Sequence, residues 1–184
     1  MEYHIKLPID DDFVRNLKVD DVLYISGVII TARDQVHKKI QDWVEQQHDL
    51  PEYFNSIYGA AIYHCGPLII KDPKNPTKWI LKSAGPTTSA RMNPYFAKVS
   101  KALKSHIVIG KGGMNAKGWD IIPAVYCIFP GGVGALTAKF IKEIRGVEMI
   151  EFGIPEALWI LECEEFGPLI VAIDTNGNSI ISEN

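Results

Sequence analysis

Three short stretches of this chain set positive charge beside glycine or hydroxyl residues, a combination that suits a small anion. The first is Thr31-Ala32-Arg33-Asp34 with His37, where a strand pattern gives way to a helical one. Thr31 is placed to cap that helix and Asp34 to complement its dipole. Arg33 is harder to explain, because a guanidinium in the first turn reinforces the positive end and is unfavourable unless an anion binds there. His37, one turn on, reads equally as a surface or half-buried histidine and as a proton carrier. The second stretch is Gly85-Pro86-Thr87-Thr88-Ser89-Ala90-Arg91. Capping accounts for one or two hydroxyls, whereas free backbone N–H groups, hydroxyls and a guanidinium together suit a carboxylate or phosphate. The third, Gly110-Lys111-Gly112-Gly113-Met114, lacks the Ser or Thr of a nucleotide phosphate loop. Its glycines still allow a small anion close approach to the ammonium and the backbone donors.

The elements that must position these residues follow from hydrophobic spacing. Short apolar runs bounded by Gly or Pro predict strands at Val22–Ile30, Tyr58–His64, Trp79–Ala84, Ile107–Ile109, Ala124–Phe129 and Trp159–Cys163. Helical spacing joins Val36, Ile40, Trp43 and Val44, and again Met92, Tyr95, Phe96, Val99 and Leu103. A third helix is expected over Ala135–Ile144, entered through Gly131, Gly132 and Gly134. A hairpin is expected over Leu169–Ile181, turning at Asn176-Gly177. Lys71–Lys78 reads as a loop tip in which Pro73 and Pro76 forbid regular pairing. The pattern is that of a mixed α/β domain, in which the three charged corners can share one edge of the sheet. Arg33, Arg91 and Lys111 would then surround one cleft, and three cations suit a dicarboxylate.

Composition narrows the partners. With 184 residues, 47% of them hydrophobic, one domain spanning 1–184 is expected. Nineteen basic against 22 acidic residues give a net charge of −3, which offers no field for nucleic acid or an anionic membrane. The acidic start and the lack of a long apolar run suggest a cytoplasmic protein. Cys65, Cys127 and Cys163 are far apart and in apolar contexts, so buried thiols are expected rather than disulfides or a metal site. A cluster held by these three alone is an alternative that their spacing disfavours. The Gly131–Gly134 run suits close packing or a tight turn, Glu156 a local cap or pair, and Trp43, Trp79, Trp119 and Trp159 the core.

Taken in order, TARDQVH, YHCGP, GPTTSARM, GKGGM, GGVGAL, GIPEALW and FGPLIVAIDTNGN make the chain resemble the β subunit of two-subunit class I fumarases and of L-tartrate dehydratase. The equivalent region forms the C-terminal domain of single-chain class I fumarases. The resemblance implies a swivelling β/β/α domain and an iron-sulfur hydro-lyase whose [4Fe-4S] cluster is held by a separate α subunit, with no metal bound by this chain. It implies a hetero-oligomer, with contacts between like chains left open, and an apolar docking face of unread composition. Arg33, Arg91 and Lys111 match the family's substrate-carboxylate ligands. Thr87, with Thr88 beside it, matches the threonine proposed to touch substrate and move its proton, and His37 matches the motif histidine. The sequence departs from many relatives after GKGGM, where Asn115–Asp120 is compact.

The implied reaction is reversible hydration of fumarate to L-malate. Negative charge builds up on a carboxylate as the neighbouring C–H proton leaves, and the three cations would stabilise it. The partner's open iron would ease departure of the hydroxyl. For the base, His37 is favoured by the ordinary imidazole pKa and Thr87 by motif position. Two alternatives stand beside this reading: an L-tartrate dehydratase β subunit, and a non-catalytic module that binds a dicarboxylate or phosphorylated metabolite.

Overall fold

The computed structural model describes residues 1–115, 119 and 122–181. Among these are nine strands: β1 (Glu2–Lys6), β2 (Val22–Thr31), β3 (Ala61–Tyr63), β4 (Leu68–Asp72), β5 (Asn75–Ser83), β6 (Ile107–Gly110), β7 (Val125–Ile128), β8 (Ile141–Glu148) and β9 (Leu158–Ile173). The helices are α1 (Asp11–Asn16), α2 (Asp34–Glu45), α3 (Phe96–Leu103) and α4 (Gly134–Phe140). No helix among the described residues is long and apolar enough to cross a membrane.

The sheet order β1-β2-β3-β6-β7-β9-β8, with β2 also paired to β9, closes β2, β3, β6, β7 and β9 into a barrel. Its first four members are parallel and β9 runs against them. The fold is therefore mixed α/β, with α2 and α3 outside a closed β-barrel. Strand alternation makes this possible, because successive side chains point to opposite faces. Ile107 and Ile109 enter the barrel interior while Val108 faces outward; Tyr63 and Cys127 point in while Ile62 and Tyr126 point out. The outward set is covered by Val36 and Ile40 of α2 and by Phe96, Val99 and Leu103 of α3. Two apolar layers thus clamp the strands from both sides, leaving only the strand ends for polar chemistry.

Several expected elements differ in extent. The strand expected from Tyr58 is only Ala61–Tyr63, because Gly59 turns the chain with φ of 76°. Pairing of Asp72 with Asn75 and Lys71 with Trp79 shrinks the expected Lys71–Lys78 loop to a two-residue turn at Pro73-Lys74. Pro76 lies within β5, which pairs only with β4, so its missing N–H costs no ladder bond on the other side. Pro94 divides the second expected helix, leaving a 3-10 turn at Ser89–Met92 followed by α3. The third helix ends at Phe140, and Ile141–Glu148 becomes β8 along β9. The expected tail hairpin is reduced to one bridge, Ile173 with Ser179. Asp174 holds the turn by accepting from the backbone of Asn176 at 2.9 Å and of Asn178 at 3.1 Å.

Candidate functional site

Strands β2, β3 and β6 are parallel neighbours, so the corners that follow them lie at one end of the barrel. The Gly85–Arg91 loop crosses that end and is stitched to it. Thr87 N–H donates to the His64 carbonyl at 2.7 Å, Lys111 N–H to Thr87 O at 3.2 Å, and Ser89 N–H to Lys111 O at 3.0 Å. Thr88 and Lys111 form a parallel bridge. The first corner is tied in by side chains: Arg91 Nε donates to Asp34 Oδ1 at 3.1 Å and Oδ2 at 3.3 Å. All three charged stretches therefore meet. The manner differs from expectation, since the Thr87 and Ser89 N–H groups are not free for an anion, and no hydroxyl caps the 3-10 turn that opens at Ser89.

Each arginine has a carboxylate of its own. Arg33 is the N-cap residue of α2, and its Nε lies 3.0 Å from Glu156 Oε1, while Glu156 Oε2 accepts from the Gln35 backbone N–H at 3.3 Å. The Arg33 Nε–H has no hydrogen-bond partner among the described residues, so charge rather than a directed bond holds this pair. The anion that a guanidinium at a helix N-terminus calls for is thus supplied in this conformation by a residue 121 positions from Gln35. Glu156 was expected to act locally; its partners are distant in sequence. Thr31, the expected cap, instead accepts from Trp159 N–H at 3.1 Å and donates to Ala157 O at 3.2 Å, fastening β2 to the start of β9. Partial burial pushes the Asp34 carboxyl up, but the Arg91 bond, the backbone and the two guanidinium charges outweigh it and hold it below the usual carboxylate range.

Both carboxylates address Nε, the inner nitrogen of the guanidinium. The terminal nitrogens are then the ones available to grip a second carboxylate as a fork. Arg33 Nη1 rests against Gly66, where an added Cβ would fall 2.6 Å from it and 3.2 Å from the Pro155 carbonyl. Gly66 is therefore part of the seat of Arg33. Lys111 is different: it is exposed and has no carboxylate partner among the described residues. It borders a mainly apolar groove of about 530 Å³ with Ile128, Phe129, Gly131, Ile170 and Ile181.

Beneath the corners lie two fully buried imidazoles, His37 and His64, with ring centroids 5.1 Å apart. His37 Nδ1–H donates to the Arg33 carbonyl at 2.9 Å, because a carbonyl can only accept. Burial lowers its pKa to about 4, against smaller upward effects of that bond and of Asp34. The ordinary imidazole pKa that favoured His37 as the base is not kept in this enclosed site, where burial leaves a neutral and weakly basic ring. His64, quoted in the sequence only as part of YHCGP, is also neutral, its pKa driven well down by burial and then by His37 and Arg91. Of the three hydroxyls, Ser89 Oγ shares a 2.8 Å hydrogen bond with His64 Nδ1, Thr88 is exposed, and Thr87 Oγ1 is buried without a partner among the described residues.

The thiols do not fit an iron-sulfur cluster. Cys65, Cys127 and Cys163 are all buried in the apolar core, and burial pushes each thiol up, that of Cys163 to about 12. The Gly131–Gly134 run divides between the two expected uses: Gly132 turns the chain with φ of 80° and open space around it, while Gly134 packs against Gly85, its carbonyl accepting from Ala84 N–H at 3.0 Å. Trp119 and Trp159 are core, whereas Trp43 and Trp79 are partly exposed, the latter with Lys71 Nζ 3.4 Å from its ring centroid. Of the Asn115–Asp120 stretch, where the sequence departs from many relatives, only Asn115 and Trp119 lie within the described residues.

Comparison with known proteins places this geometry in context. The model of the family described as "Fumarase C-terminus" matches residues 2–184. The L(+)-tartrate dehydratase subunit beta of Escherichia coli (strain K12) is 38% identical over 187 residues, spanning 100% of this chain and 89% of the relative. A Methanocaldococcus jannaschii protein, provisionally named L(+)-tartrate dehydratase subunit beta, is 42% identical over 174 residues, covering 92% of this chain and 86% of its own length. A Geobacillus stearothermophilus protein, provisionally named fumarate hydratase class I, is 40% identical over 179 residues, which are 96% of this chain but 33% of the relative.

Proposed function

Because the chain belongs to the fumarase C-terminus family, we propose that it is the β subunit of a hydro-lyase for a four-carbon dicarboxylate, completing its site with an α subunit. The observation that carries the proposal is the convergence of Arg33, Arg91 and Lys111 on the ends of β2, β3 and β6, with both arginines anchored through Nε. In this reading the guanidinium forks and the Lys111 ammonium bind the two carboxylates, with Thr88 at the rim. They also stabilise the charge that develops as the C–H proton leaves. Thr87 is the proton-moving candidate, since its buried Oγ1 is uncommitted among the described residues and its loop carries Arg91 and is bonded to Lys111, cations that would favour its deprotonated form. His37 contributes as a neutral imidazole that fixes the Arg33 backbone.

The cysteines of this chain are unsuited to a cluster, so the [4Fe-4S] group of this reading belongs to the α subunit. Closure of a swivelling domain over substrate and a cytoplasmic location are parts of the same reading. Fumarate and L-malate are the first substrate pair to test. L-tartrate is the second, favoured by relatives of nearly the same length that are named tartrate dehydratase subunit beta. The test is anaerobic co-expression with the α subunit, followed by dehydration assays on L-malate and L-tartrate. The complex should turn over one of these acids while the isolated chain turns over neither. A cluster-loaded complex inert towards both would refute the proposal, and tight dicarboxylate binding by the isolated chain would favour a binding module.

A further inference from the structure

His64 occupies an unusual place beneath the loop that carries Thr87 and Arg91. It directly follows β3, its carbonyl accepts the Thr87 N–H at 2.7 Å, and its Nδ1 shares a 2.8 Å bond with Ser89 Oγ. One residue therefore grips the loop twice, through backbone and side chain, on either side of Thr88. The grip is tightly seated. An added Cβ on Gly110 would fall 1.8 Å from Ser89 Oγ and 3.2 Å from His64 Nδ1, so the glycine leaves just the room that this contact needs. The far nitrogens, His64 Nε2 and His37 Nε2, are buried without partners among the described residues, and the two rings meet edge to face. A buried polar group is expensive to leave unpaired. Packing alone would be better served by an apolar side chain, so the retained polar edge at Ser89 calls for a use.

We propose that His64 is a positioning residue, a buried latch that acts through Ser89 to fix where the Thr87–Arg91 loop presents its hydroxyl and guanidinium to substrate. This rests on the proposed roles of Thr87 and Arg91. The latch works as a short lever: Ser89 lies two residues from each of them, and its own N–H is bound to Lys111 O at 3.0 Å, so a shift at Ser89 moves all three groups. Misplacement by an ångström of groups that must meet a reacting atom costs on the order of a hundredfold in rate.

The test compares His64→Leu, which keeps volume but removes the polar edge, with His64→Asn, whose amide reaches the position of Nδ1. In the α–β complex, His64→Leu should lower kcat about tenfold or more with a smaller change in KM. His64→Asn should recover most of that loss. Ser89→Ala should match His64→Leu, and the double variant should be no worse than either single one, because both remove one bond. In the full chain alone, hydrogen exchange at the Thr87 and Ser89 amides should quicken about tenfold in His64→Leu and not in His64→Asn. Unchanged kcat in His64→Leu, no rescue by Asn, or losses that multiply in the double variant would overturn the latch. If the wild-type complex turns over neither acid, the site reading itself fails and the exchange experiment alone decides the latch: unchanged exchange in His64→Leu overturns it.

Discussion

The two arginine corners and the lysine corner solve the same problem differently. Arg33 and Arg91 each rest on a carboxylate from elsewhere in the chain, Glu156 and Asp34, whereas Lys111 projects from a glycine turn beside an apolar groove with no such partner among the described residues. A guanidinium has five donors in a rigid fork, so a carboxylate can hold Nε and leave the outer pair for a ligand. An ammonium is a point charge on a flexible stem, and a structural carboxylate there would simply neutralise it. The comparison teaches that pairing within the protein does not remove an arginine from a binding site. It can be the means of aiming it.

That contrast can be broken by removing its members in turn. Lys111→Ala should have the largest effect, lowering kcat/KM of the α–β complex by about a hundredfold or more, the usual scale for a lost transition-state charge contact. Its thermal midpoint should be unchanged, because the exposed ammonium has no ion pair among the described residues and the backbone bonds of Lys111 survive the substitution; a large loss of stability would mean that the corner is structural. Gly66→Ala should come next. The new methyl group meets Arg33 Nη1 and the Pro155 carbonyl, so kcat/KM should fall about tenfold and stability by roughly 1–3 kcal/mol, the range for overpacking. Asp34→Asn should weaken the aim of Arg91 without removing its charge, raising KM about threefold. A lower KM would show that Asp34 competes with substrate instead of orienting its ligand.

The smallest effect lies beneath the corners and is read in stability. His37 has a pKa of about 4 when folded and near 6.5 when unfolded. Between those values the unfolded chain binds a proton that the folded chain excludes, so stability is lost as pH falls through 6.5 towards 4. Urea unfolding at pH 5 should give a free energy lower than at pH 7 by about 2 kcal/mol from His37, with His64 acting in the same direction. Equal stability at the two pH values would contradict two neutral, enclosed imidazoles.

Much of this was legible in the sequence for a physical reason. The corners Arg33, Arg91 and Lys111 sit where strand patterns end, and local spacing determines which residues follow a strand. What local spacing cannot report is the partner across the fold. Glu156 reads as a local cap, and only the approach of the β9 entry to α2 makes it the anion of Arg33. Thr31 has the right type for an N-cap, yet a nearer use, fastening β2 to β9, claims its hydroxyl. β8 was hidden because Ile141, Ile144 and Val147 repeat every three residues, a helical spacing overridden by pairing along β9. β1 was missed as well: in its five residues only Ile5 is buried, too little for a pattern. His64 carried no signal beyond its type, since its second grip on the loop depends on Ser89, 25 residues away.

The account depends most directly on Arg91, which joins two of the three corners through Asp34 and is itself half exposed. The decisive measurement is kcat/KM of the anaerobically reconstituted α–β complex carrying Arg91→Ala, on whichever of L-malate and L-tartrate the wild type turns over. A fall of about a hundredfold or more, with the variant chain still folded and still bound to its partner, is the predicted result. Wild-type kinetics in that complex would contradict the claim that these strand ends grip the substrate.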